Sequence, residues 1–169
     1  TGRKAATKPL KWNQIIVLTR NTIRGILQTA TQIAEAMPEL VAYVDGGSLG
    51  NPGPSGIGVV INGGASGPIR IAKWIGHQDN NVAEYAALME ALQCAVSLKA
   101  RKLHVYSDSQ VVVRQMTGEY LCRSPRLYSL HWTCRKLARS LDFSISHVPR
   151  ADNAEANRLA QRALRQRAN

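Results

Sequence analysis

The sequence has no apolar run that approaches the roughly 18 residues of a membrane-spanning helix, which predicts a protein without a membrane segment. It also lacks the apolar block and small-residue cleavage site of a secretory signal near its start. Because the chain starts at Thr1 and not at Met, we expect a processed form or an excised segment. Internal repeats are absent too, and 169 residues suffice for one domain with a substantial core.

Cysteine is scarce. The three cysteines, Cys94, Cys122 and Cys134, are odd in number and widely spaced, and they show no metal-ligand spacing. A disulfide framework or a zinc site is therefore not indicated. We expect reduced thiols and an intracellular location, in the cytoplasm or with nucleic acid.

Acidic residues are also few, with 11 against 22 lysines and arginines. The resulting net charge of +11 and pI near 10.1 favour a polyanionic partner, and nucleic acid is the first candidate. The alternative is a basic protein whose charge serves only solubility.

The first 39 residues are predicted to form an extension. Residues 1–11 are basic, and residues 12–37 carry apolar side chains mostly three or four positions apart, the spacing of an amphipathic helix that Pro38 ends. Gly25 weakens the prediction of one unbroken helix. The extension is interpreted as a packing or partner-binding element, and the main domain is predicted to span residues 40–169.

The main domain has three strand-like runs followed by alternating helices and strands. The order indicates an α/β fold with a five-stranded mixed sheet flanked by helices. The predicted strands are 40–44, 56–61, 69–77, 103–106 and 143–148, and the predicted helices start near Asn80 or Asn81, after Gln110, at Pro125 and after Asp152.

Three acids stand at the ends of these predicted elements. Asp45 ends the first strand and opens a stretch rich in glycine and proline, Glu84 lies in the first turn of a helix, and Asp108 ends another strand. Each acid alone has an ordinary interpretation as a turn residue, a helix cap or a surface charge. Together, converging carboxylates need a compensating cation, and hard oxygen ligands suit Mg²⁺ or Mn²⁺.

The motifs that surround these acids resemble type 1 ribonuclease H from about Val41 to Leu164. They are Asp45-Gly46 with Gly50-Asn51-Pro52-Gly53-Pro54, Asn80-Asn81 with Glu84-Tyr85, Asp108-Ser109-Gln110, and Asn153-Ala154-Glu155-Ala156-Asn157-Arg158-Leu159-Ala160. The resemblance implies a ribonuclease H-like fold and metal-dependent cleavage of the RNA strand of RNA–DNA hybrids by two Mg²⁺ ions, for which Mn²⁺ can substitute.

The resemblance also assigns residues. It implies that Asp45 bridges the two ions, that Glu84 and Asp108 complete their coordination, and that Asn157 occupies the fourth ligand position. These four residues are the predicted catalytic and metal-binding set. The predicted contacts to the hybrid are Gly46, Gly47, Ser48, Asn51, Asn80, Asn81, Gln110 and Arg150.

Four departures from the family pattern affect the prediction. Asn157 stands where the family has a carboxylate, which weakens metal binding, and it is either an engineered change, which the otherwise intact site favours, or a natural variant. Asp79 replaces a frequent threonine beside a DNA phosphate site, where an acid repels phosphate. Arg150 is the candidate to assist in place of a mobile histidine. The short segment between Gly118 and Pro125 leaves no room for the basic protrusion of other members.

We therefore predict a ribonuclease H whose activity is reduced by Asn157. The alternative is a non-catalytic hybrid-binding module of the same fold, which Asn157 and Asp79 favour and the three intact acids oppose. Another nuclease or an integrase of this fold ranks last, because the paired asparagines are missing there. The sequence does not indicate an oligomeric state.

Overall fold

The computed structural model of the chain describes residues 12–165, so the predicted basic arm of residues 1–11 lies outside the described residues. Contacts between Cα atoms divide the chain into two compact units, Thr1–Ala36 and Met37–Asn169. The first unit contains helix α1, Trp12–Ala36, which continues without a break through Gly25. No helix among residues 12–165 is long and apolar enough to span a membrane.

Helix α1 has a large exposed apolar surface. Among the α1 side chains that the structure describes, six large apolar ones are exposed, namely Ile16, Val17, Ile23, Ile26, Leu27 and Ile33. The segment with the predicted amphipathic spacing therefore forms a helix. The role of this helix as a packing or partner-binding element stays a prediction.

The second unit contains a mixed sheet of five strands in the order β3-β2-β1-β4-β5. Strand β1 pairs antiparallel with β2, which pairs antiparallel with β3, while β4 and β5 continue the sheet in parallel on the other side of β1. The strands are β1 Glu39–Ser48, β2 Gly53–Asn62, β3 Ile69–Gln78, β4 Lys102–Ser107 and β5 Asp142–His147. The predicted five-stranded mixed sheet is confirmed.

Four helices complete this unit. They are α2 Asn80–Ser97, α3 Gln110–Thr117, α4 Pro125–Ala138 and α5 Ala154–Arg165, and a 3-10 turn, Arg150–Asn153, precedes α5. The core forms where Leu88 and Leu92 of α2 are buried with Val44 of β1 and Val105 of β4. Burial of such apolar side chains is the main favourable contribution to the stability of this unit.

Glycines let α2 and α5 approach opposite faces of the sheet. A Cβ at Gly46 of β1 would lie 2.1 Å from the carbonyl carbon of Ala83 in α2. A Cβ at Gly58 of β2 would lie 2.0 Å from the carbonyl oxygen of Ala156 in α5. Both helices therefore rest directly on the backbone of the sheet.

We expect Gly58→Ala to destabilise the protein by about 1–3 kcal/mol, because the added methyl group overpacks the contact with α5. Gly47→Ala is the matched control, since a Cβ at Gly47 would meet nothing within 4 Å. Urea denaturation followed by circular dichroism measures both. Equal free energies of unfolding for the two variants would contradict the packing role of Gly58.

Candidate active site

Asp45 and Asp108 come together where the parallel part of the sheet ends. Asp45 was expected to end the first strand, but β1 continues to Ser48 because its pairing with β2 extends that far. The pairing with the parallel strand β4 stops one residue earlier, with Val44 opposite Ser107. Asp45 is thus the first β1 residue beyond this pairing, and Asp108 directly follows β4.

Glu84 reaches the same point from the first part of α2. The backbone N–H of Gly46 donates a hydrogen bond of 3.1 Å to Glu84 Oε2. The close approach of α2 to Gly46, which tolerates no side chain, makes this bond possible. The glycine that was predicted to contact substrate therefore also positions an acid.

One carboxylate oxygen from each of Asp45, Glu84 and Asp108 lies within 4.8 Å of the other two. Asp45 and Glu84 are buried, and Asp108 is half-buried. The structure thus brings together the three carboxylates of the predicted metal-binding set. Hard oxygen ligands at this spacing fit a divalent cation such as Mg²⁺.

Burial and mutual repulsion raise the pKa values of two of these acids. The pKa of Glu84 rises to about 9, first through burial and then through the charges of Asp45 and Asp108, against the N–H of Gly46 and the charge of Arg150. The pKa of Asp45 rises to about 6 through burial and the charge of Asp108, while Arg150 and a hydrogen bond from Asn157 lower it. The cluster therefore resists full ionisation unless a cation binds.

Asn157 contacts this cluster as a hydrogen-bond donor. Its Nδ2 lies 3.1 Å from Asp45 Oδ2, and its Oδ1 accepts a bond of 2.9 Å from Nε2 of Gln161, one turn further along α5. In this arrangement the amide N–H₂ faces Asp45 and the amide oxygen faces Gln161. Gln161 was not among the predicted site residues, because an amide four residues from Asn157 carries no distinctive sequence signal.

Asn153 is a second residue that the sequence did not assign to the site. It is 1% exposed, and its Nδ2 lies 2.8 Å from the carbonyl oxygen of Val44 and 3.1 Å from Asp108 Oδ1. Asn153 thereby joins the end of β1 to Asp108. Its presence in the closing motif was visible, but its burial between two strand ends was not.

Most of the predicted hybrid contacts line one cleft beside the three acids. Gly46, Gly47, Ser48, Asn80 and Arg150 line this cleft with Asp45, Glu84 and Asn157.

The remaining predicted hybrid contacts border the cleft or lie outside its lining. Asn51 adjoins it, since its Oδ1 accepts a bond of 3.0 Å from the N–H of Asn80. Asn81 and Gln110 are exposed near the starts of α2 and α3 and are not part of the cleft lining.

Asp79 has two partners that the sequence did not reveal. Its Oδ1 accepts a bond of 2.9 Å from the N–H of Val82, so Asp79, and not one of the paired asparagines, caps α2. Its Oδ2 lies 3.2 Å from Nη1 of Arg126 in α4. Arg126 offsets the negative charge of Asp79, which reduces the repulsion of phosphate that was expected there.

Residues 43–163 match the family model described as reverse transcriptase-like. Among curated proteins, the chain is 41% identical to ribonuclease HI of Halobacterium salinarum over 73% of this chain and 63% of that protein. It is 40% identical to a bifunctional protein of Mycobacterium tuberculosis over 75% of this chain but only 35% of that protein. The chain therefore spans less than two thirds of the length of these relatives.

Two solved structures resemble the chain over most of its length. The crystal structure of RNase H1 from Halobacterium salinarum superposes with a TM-score of 0.71, at 39% identity over 76% of this chain and 98% of that chain. The structure of LC11-RNase H1, solved in complex with an RNA/DNA hybrid, gives a TM-score of 0.72 at 33% identity over 78% of this chain and 100% of that chain.

We expect Glu84→Gln to stabilise the metal-free protein increasingly as the pH rises. The folded-state pKa of Glu84, about 9, lies above its ordinary value of 4.5, so the stability from its protonated form is complete below pH 4.5 and is lost as the pH rises through 9. Because one pKa unit corresponds to about 1.4 kcal/mol, the gain in stability over the unsubstituted protein should increase by at least that amount across this range.

Urea denaturation in a chelator between pH 4.5 and 9.5 tests this expectation. Glu119→Gln is the control, because Glu119 is exposed and lies outside the acid cluster. A constant difference in stability between Glu84→Gln and the unsubstituted protein at all pH values would show that Glu84 ionises normally.

Proposed function

Because the chain belongs to the type 1 ribonuclease H family, we propose that it cleaves the RNA strand of RNA–DNA hybrids. The observation that carries the proposal is the cluster of Asp45, Glu84 and Asp108, whose oxygens lie within 4.8 Å of one another beside an open cleft. A structural relative was solved with an RNA/DNA hybrid, which supports the same substrate class for this chain.

The acid cluster is proposed to hold divalent cations. Asp45, Glu84 and Asp108 supply the carboxylate oxygens, and Asn157 stands at a fourth, weakened position. Bound there, two Mg²⁺ or Mn²⁺ ions would supply activation of a water and stabilisation of the leaving oxygen in an in-line attack on phosphorus.

The residues around the cluster are proposed to position the hybrid. Arg150 presents a permanent positive charge in the cleft, where the phosphate of the cleaved bond must approach three acids. Asn51 and Asn80 are joined by a hydrogen bond, which fixes the loop after β1 against the start of α2. Contacts through backbone and 2′-hydroxyl groups distinguish RNA from DNA without reading the sequence.

Asn157 is proposed to reduce activity in two ways. An amide lacks the full negative charge of a carboxylate, and here its N–H₂ group already bonds to Asp45. For Oδ1 of Asn157 to bind a cation in the cluster, the amide must turn away from Gln161, which breaks the hydrogen bond between them.

We expect Asn157→Asp to cleave the RNA strand of a labelled hybrid at least about tenfold faster than the unsubstituted protein, because it supplies a charged ligand at the fourth position. The DNA strand should remain intact. Cleavage is measured in Mg²⁺ and in Mn²⁺, and binding of the uncleaved hybrid is measured in a chelator.

Two controls accompany this test. Asp45→Asn should abolish cleavage, and Asp142→Asn, at the start of β5, should leave it unchanged because β5 begins at the end of the sheet remote from the cluster. If both the unsubstituted protein and the Asn157→Asp variant bind the hybrid without cleaving it, the chain is instead a non-catalytic binding module.

A further inference from the structure

Helix α4 carries two exposed aromatic side chains one turn apart. Tyr128 is 61% exposed and Trp132 is 56% exposed. The ammonium group of Lys136, one turn further along, lies 5.3 Å from the centroid of the Trp132 ring. Residues four apart share one side of a helix, so these three side chains form a continuous row.

The row is not part of the core. Leu127 and Cys134 are the buried side chains of α4, and they face the opposite side of the helix from the aromatic row. A face that only contacts water does not need a tryptophan, and exposed aromatic groups among polar ones are typical of binding surfaces.

Positive charge accompanies the aromatic row. We define the α4 outer face as Tyr128, Trp132, Arg135, Lys136 and Arg139, all of which are exposed. The sequence of α4 contains no acid. The cations at its end also complement the helix dipole, but the dipole does not account for the aromatic rings. A polyanion with stacking groups is complementary to both features.

The first turn of α4 lies close to the cleft. Arg126, in the first turn of α4, pairs with Asp79, which caps α2 directly before the cleft residue Asn80. Between α3 and α4 the chain has only residues 118–124. A strand that leaves the cleft past the start of α2 therefore meets α4.

We infer that the α4 outer face binds a single strand of nucleic acid that extends beyond the paired part of the hybrid. The bases of a duplex have no free ring faces along their stack, whereas unpaired bases stack on aromatic side chains. Tyr128 and Trp132 supply the rings, and Arg135, Lys136 and Arg139 neutralise phosphates. The inference rests on the proposed function, because the hybrid in the cleft aligns the overhang with α4.

We expect hybrids with a single-stranded overhang to bind about tenfold more tightly than blunt hybrids of the same paired length. Stacking on one aromatic side chain typically contributes about this factor or more. Overhangs are placed in turn on the 5′ and 3′ ends of each strand, and affinity is measured by fluorescence anisotropy in a chelator, where no cleavage occurs.

Substitutions test whether the α4 outer face causes the tighter binding of hybrids with an overhang. Tyr128→Ala with Trp132→Ala should remove the advantage of the overhang and leave the affinity for the blunt hybrid unchanged. Trp132→Phe should retain most of it, because the ring remains. Lys136→Gln should lower the slope of log affinity against log salt by about 0.7 for the overhang hybrid. Lys99→Gln is the charge control, since Lys99 is exposed in the turn between α2 and β4 and is not part of the α4 outer face.

The outcomes separate this inference from the proposed function. The inference is overturned if the unsubstituted protein shows no overhang advantage, or if the double variant keeps that advantage, even when the unsubstituted protein cleaves hybrids. A different outcome is an overhang advantage that depends on Tyr128 and Trp132 while neither the unsubstituted protein nor its Asn157→Asp variant cleaves hybrids. That result supports binding by the α4 outer face and overturns the proposed cleavage. Thermal denaturation confirms that each variant is folded.

Discussion

Repulsion among three carboxylates is the constraint to which the rest of the site responds. Their oxygens lie within 4.8 Å of one another, and burial together with this crowding raises the pKa of Glu84 to about 9. The surrounding groups oppose the repulsion only in part. The N–H of Gly46, the amide of Asn157 and the charge of Arg150 all favour ionised acids, yet two of the acids keep raised pKa values. A bound cation would offset the repulsion that remains among the carboxylates.

Packing holds the acids together against this repulsion. Helices α2 and α5 carry Glu84 and Asn157, and each helix lies against a glycine of the sheet where no Cβ fits. The contacts at Gly46 and Gly58 act through backbone atoms, which cannot change rotamer to relieve the strain. The stability of the apolar core is thereby transmitted to the site, so that an electrostatically unfavourable arrangement persists in the folded protein.

Local sequence patterns predicted the fold and the three acids, but they did not predict the residues that form hydrogen bonds or ion pairs with the acids. Apolar periodicity predicted the mixed sheet and its flanking helices, which are confirmed. Asp45 and Asp108 could be expected to meet, because they follow the paired portions of adjacent parallel strands. Strand β1 is nevertheless longer than predicted, because its pairing with β2 continues past Asp45.

The remaining contacts depend on residues that are distant in sequence. Asn153 bonds to a carbonyl group 109 residues away, and Arg126 pairs with an acid 47 residues away. Such pairs arise from rotamers that are set only when the helices are docked, so no spacing in the sequence indicates them. The ligand and substrate roles of the predicted residues stay predictions, because geometry alone does not assign them.

The distribution of charge connects the acid cluster with the basic surface. Without bound cations, the acid cluster presents negative charge to an approaching nucleic acid, so lysines and arginines elsewhere on the surface would favour its binding. Outside the cluster, several acids are already paired with bases: Glu39 with Arg101, Glu90 with Lys73, and Glu155 with Arg70. These pairs neutralise surface acids, and lysines and arginines outnumber acids by 22 to 11 in the sequence. Buried acids and a basic exterior therefore have opposite effects on a polyanion: the exterior would attract it, and the acid cluster without a bound cation would repel it.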